Sequence, residues 1–132
     1  MTPRELIPLD VASQAEPPDQ QTPVELEAAV RAARAARWRR ELAGAEARLA
    51  TAAAVLETAR QEETDAGLAL AGREVGARSG TPDPRALAAA RTRLRYATTG
   101  RELAWLGFHL ARARTALSAS VLRLVEPAGT RR

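Results

Sequence analysis

Residues 78–84 read Arg78-Ser79-Gly80-Thr81-Pro82-Asp83-Pro84, and they decide the fold because nothing comparable interrupts the long stretches on either side. Two prolines and a glycine in so short a span end one helix and set up the next. Upstream, Thr22-Pro23-Val24-Glu25 is a helix start, with Thr22 as N-cap, Pro23 at the first helical position and Glu25 placed to close a capping box. From there to about Ala77 only Gly44, Gly67, Gly72 and Gly76 weaken a helix, and each is tolerable. Downstream, a second helix is expected up to Val125, before Pro127.

The chain is therefore expected to be all-α, a long antiparallel, coiled-coil-like helical hairpin spanning residues 23–126. Helix one covers about 23–77, the turn 78–82 and helix two about 83–125. Residues 1–22 hold four prolines, with Pro23 directly after them, and scattered acids, which predicts an extended acidic arm. Within it Leu6, Ile7, Leu9 and Val11 form a small apolar knot of the kind that anchors on a partner surface. Residues 127–132 are expected to be a disordered tail. One flaw stands out in helix two: Ala97-Thr98-Thr99-Gly100 joins two β-branched residues to a glycine, making Gly100 the place for a kink.

A hairpin of long helices needs a continuous seam. In helix one, Leu42, Leu49 and Leu56 recur every seven residues, each followed three places later by alanine: Ala45, Ala52 and Ala59. The frame extends back to Trp38 and forward to Leu70. Folding the chain at Gly80 sets residue i opposite roughly residue 160 − i. Helix two then offers Ala90, Leu94, Ala104, Phe108 and Ala111 to the seam, so that large residues meet small ones. Two layers pair badly, Ala59 with Arg101 and Glu63 with Ala97, and both adjoin Gly100, so the seam is expected to be loosest there.

Helix two carries a second apolar face. Leu103, Leu110, Leu117 and Leu124 stand seven residues apart, with Leu106 and Ala113 between them. At about 100° per residue this stripe lies more than about 100° from Ala104, Phe108 and Ala111, so one partner helix cannot cover both. A kink at Gly100 could fold residues 101–125 back as a third helix over the stripe. Otherwise the stripe calls for a second copy of the chain or another protein.

Charge is segregated. All twenty basic residues are arginine, and lysine, asparagine and cysteine are absent, which reflects GC-rich coding more than function. Residues 1–30 are net −5, residues 31–48 net +4, residues 49–77 net −3 and residues 78–132 net +8. At one end of the hairpin Arg31, Arg34, Arg37, Arg39 and Arg40 approach Arg112 and Arg114, a set that could contact anions such as phosphate. The acidic arm is tethered to that same end, and aromatics, at 3%, are too few for base stacking, so nucleic acid ranks as the second partner class. The leucine repeat behind Arg91, Arg93, Arg95 and Arg101 resembles a basic-zipper DNA-binding protein in outline, but the asparagine of that basic region is missing. Trp105-Leu106-Gly107 is similar to the W-x-G of small type VII secretion substrates, where it occupies the hairpin turn; here it lies deep in helix two.

Without cysteine there is no disulfide or zinc–thiolate site, and without lysine no Schiff base. The one histidine, His109, sits between Phe108 and Leu110 on a packed helix and is expected to be an interface residue. Glu62, Glu63 and Asp65 lack the histidines that a di-metal bundle needs. No enzyme activity, metal or cofactor is expected. The longest uncharged runs, near Leu49–Leu56 and Leu103–Ala111, are too short for a membrane span, and MTPRELIPLDV lacks a signal-peptide core. The expectation is a cytoplasmic or particle-borne structural adaptor that associates with itself or with a larger assembly, such as a phage particle or secretion machine.

Overall fold

A computed structural model of the chain describes residues 22–126. The arm residues Leu6, Ile7, Leu9 and Val11 and the tail 127–132 lie outside the described residues. Two helices, α1 (Pro23–Ser79, 57 residues) and α2 (Pro84–Val125, 42 residues), pack along each other as a hairpin, with no strand among the described residues. Each helix begins on a side-chain cap. The Thr22 hydroxyl accepts from the Glu25 amide and the Glu25 carboxylate accepts from the Thr22 amide, both at 3.2 Å, closing the capping box. For α2 the Asp83 carboxylate accepts from the amides of Arg85 (3.1 Å) and Ala86 (3.2 Å), and Pro84 fills the first position, where no amide is needed.

The core is a single seam. On α1 the covered positions follow an alternating three-and-four spacing from Ala35 through Trp38, Leu42, Ala45, Leu49, Ala52, Leu56 and Ala59 to Glu63, Ala66 and Leu70. On α2 the same spacing runs through Leu87, Ala90, Leu94, Ala97, Arg101, Ala104, Phe108, Ala111, Thr115, Ser118, Leu122 and Val125. Such spacing keeps one face of each helix toward the other over its whole length. The buried members are mostly small, Ala35, Ala45, Ala59 and Ala66 with Ser118, and the large ones, Leu56 and Leu122, keep a little exposure.

The alternative of a third helix folded back at the weak point is corrected. Helix α2 is unbroken through Gly100, so residues 101–125 do not fold back as a third helix over the leucine stripe. The covered positions before Gly100 (Leu94, Ala97) and after it (Arg101, Ala104) stay in step, so burial on both sides outweighs the roughly 1 kcal/mol that a mid-helix glycine costs. Nor is the seam left unpinned there. The Arg101 Nε donates to both carboxylate oxygens of Glu63 at 2.9 Å. Helical side chains lean toward their own N-terminus. In antiparallel neighbours Glu63 and Arg101 therefore lean toward each other, and two poor layers become one ion pair.

Because α1 is longer, its first turns reach past the end of α2. Residues 23–34 are all exposed, a free stretch of about 18 Å. Covered positions begin at Ala35, and Arg39 is tied across to Glu126 at 3.4 Å.

Candidate association surface

All twelve residues assigned to the seam from sequence are covered or half-covered: Trp38, Leu42, Ala45, Leu49, Ala52, Leu56, Leu70, Ala90, Leu94, Ala104, Phe108 and Ala111. The five leucines assigned to a partner face lie elsewhere. Leu103, Leu110 and Leu117 are about two-thirds exposed, Leu106 is half exposed and Leu124 more than either. The seam of α2 already faces α1 from Leu87 to Val125, and among the described residues no further helix lies on Leu103, Leu106, Leu110 and Leu117.

The surface they form is broader than a stripe. Val55 of α1 and Leu103, Ala104 and Gly107 of α2 line one shallow apolar groove, edged by Arg48 and Thr51. Farther along, Trp38 and Glu41 of α1 share a second groove with Arg114, Leu117 and Ser118 of α2. Spacing puts both grooves on one flank of the hairpin, since Glu41, Arg48 and Val55 stand seven apart on α1 and Gly107 and Arg114 seven apart on α2. Sequence reasoning missed Val55, Arg48 and Gly107 as parts of this surface. Their signal was available for α2, where glycines at 100 and 107 alternate with Leu103 and Leu110. For α1 there was none, because only the packing shows which helix-one residues border that flank.

At the other face of the same segment, Trp105 is half exposed and its ring centroid lies 4.2 Å from that of His109, which in turn meets Phe108 edge-on at 5.3 Å. His109 is half-buried in this aromatic group.

The arginines assigned as anion contacts, Arg31, Arg34, Arg37, Arg39, Arg40, Arg112 and Arg114, are all exposed, but they do not share one face. Arg31 and Arg34 stand on the free stretch of α1 beside Leu26, Glu27 and Val30. Arg37 and Arg114 border the second groove. Arg39 is engaged with Glu126, and Arg112, two heptads before Glu126, lies on that same flank, away from Arg37 and Arg114.

Charge is perturbed at one place along the seam. Arg101, and after it Thr98, hold the Glu63 carboxyl below the usual glutamate range, and the same contact raises the Arg101 guanidinium further above its already high value. Among the described residues no three histidine, aspartate or glutamate side chains come together as a metal site, and no helix is long and apolar enough to cross a membrane. The fold and this surface define a two-helix hairpin with one closed seam and one open apolar flank. No protein-family model, curated protein or solved structure matches the chain.

Proposed function

We propose that the protein is a non-catalytic structural or adaptor subunit that associates, with itself or with a larger assembly such as a phage particle or secretion machine, through the leucine face of α2. One observation carries the reading: Leu103, Leu106, Leu110 and Leu117 are half or more exposed on a helix whose other face is already closed against α1. Burying four such side chains contributes on the order of 6–10 kcal/mol before the entropic cost of association. A contiguous exposed surface of this kind marks an interaction site.

The decisive variant is Leu110→Asp combined with Leu117→Asp. Neither residue belongs to the seam, so far-UV circular dichroism should keep its helical signal while sedimentation shows loss of the native assembly or of its partner. An unchanged mass and unchanged partners in that variant would remove this surface from the function.

A second reading, binding of nucleic acid, is supported by the exposed arginines and by the net charge of +8 over residues 78–132. Their division between two flanks and the free stretch of α1 favours the first reading, because one duplex meets one face. Salt-sensitive retention of random duplex DNA by the purified protein would reverse that order, and no retention on heparin at low salt would eliminate the second reading.

A further inference from the structure

The open flank is its own complement when reversed. On α1, Arg48, Val55 and Glu62 follow one another at intervals of seven, all exposed, so a cation and an anion bracket an apolar centre symmetrically. On α2, Tyr96, Gly100, Leu103, Gly107, Leu110 and Arg114 alternate at four and three along the same flank. Reversed about position 105, Leu103 meets Gly107 and Leu110 meets Gly100, while Tyr96 meets Arg114 and Leu117 meets Arg93, whose stem can cover it. The two centres coincide in space. Val55 shares its groove with Leu103, Ala104 and Gly107, the residues on either side of position 105.

The glycines have no role inside the hairpin, since a Cβ built on Gly100 or Gly107 meets nothing within 4 Å. From Glu102 to Ala111 the helix carries no arginine, in a segment otherwise dense with them. What covers this flank must therefore be apolar at its middle, supply leucines where the glycines leave room, and place an anion opposite Arg48 and a cation opposite Glu62.

Resting on the self-association reading above, we propose that the occupant is a second copy of this chain, paired about a two-fold axis through the groove between Val55 and Ala104. The axis lies across the helices, so α1 faces α1 and α2 faces α2 of the other copy, each antiparallel, in a four-helix arrangement. Val55 meets its own counterpart on the axis. Arg48 meets the other copy's glutamate at position 62, twice per dimer, and Leu103 and Leu110 of each α2 enter the spaces over the glycines of the other. Arg114 comes over the ring of the other copy's tyrosine at position 96, a favourable place for a guanidinium.

The absence of cysteine makes the test clean. Sedimentation of the wild-type chain should give twice the monomer mass, and Val55→Cys should form a disulfide-linked dimer under mild oxidation. Leu68→Cys, exposed on the outer face of α1, should not cross-link. Arg48→Glu alone and Glu62→Arg alone should each raise the dimer dissociation constant roughly tenfold, and the double reversal should bring it back to within about threefold of wild type. A monomeric wild-type chain at micromolar concentration overturns the dimer and leaves the adaptor reading to the Leu110→Asp, Leu117→Asp test. An oligomer in which Val55→Cys fails to cross-link and the charge reversals do not rescue each other overturns this axis while keeping self-association.

Discussion

At the scale of single residues, the Glu63–Arg101 pair shows how a polar interruption can be accommodated in an apolar seam. Either residue alone would leave a half-covered charge among alanines, and together they satisfy each other through two hydrogen bonds at 2.9 Å. The pH dependence has a definite sign. Because the folded carboxyl titrates below its ordinary value of 4.5, its contribution is complete above that value and fades as pH falls toward the lowered one. Thermal melts of Glu63→Gln should therefore lie below wild type at neutral pH and converge on it in acid. A constant gap between the two at every pH would mean that the glutamate contributes through packing and not through its charge. Leu56 is a large residue in the covered seam, so Leu56→Ala should cost about 2–5 kcal/mol in denaturant unfolding, far more than alanine at exposed Leu68.

At the scale of the helices, the caps do different jobs. Thr22 starts a stretch of α1 that stays exposed as far as Arg34, whereas Asp83 starts α2 at the hairpin turn itself. Removing either cap costs about 1 kcal/mol. For Thr22→Ala that loss should appear as faster amide exchange over residues 25–34 with little change in the melting midpoint. For Asp83→Ala the midpoint itself should fall, because the turn holds the two helices together. The glycines separate in the same way. A Cβ at Gly72 or at Gly107 meets no neighbour, so each alanine variant should stabilise its helix by about 1 kcal/mol in an isolated hairpin. If a second copy packs over Gly107, only Gly72→Ala raises the melting temperature without weakening association, while Gly107→Ala shifts sedimentation toward monomer.

At the scale of the whole molecule, the hairpin has a seam but no enclosed centre, and among the described residues no large side chain is fully buried. Two helices can shield only the line along which they touch. If a second copy covers the open flank, as proposed, stability becomes a function of concentration. The melting midpoint should rise by several degrees between micromolar and hundred-micromolar protein, and Leu110→Asp with Leu117→Asp should abolish that dependence.

Much of this architecture is legible along the chain. The Thr22–Glu25 capping box, the Gly80–Pro84 interruption and the seven-residue leucine spacing are local signals, set by backbone sterics and by the pitch of the α-helix. They determine two helices, their ends and the face each turns inward. Three features depend on the helices being laid side by side. Gly100 does not break α2, because the seam continues on both sides of it. Glu63 is met by Arg101, because antiparallel side chains lean toward one another. Val55 joins Leu103 and Gly107 on one flank, because that neighbourhood is made by packing across residues far apart in the chain. A helical pitch can be read from spacing alone, but which flanks of two helices come together is decided only when their seams have closed.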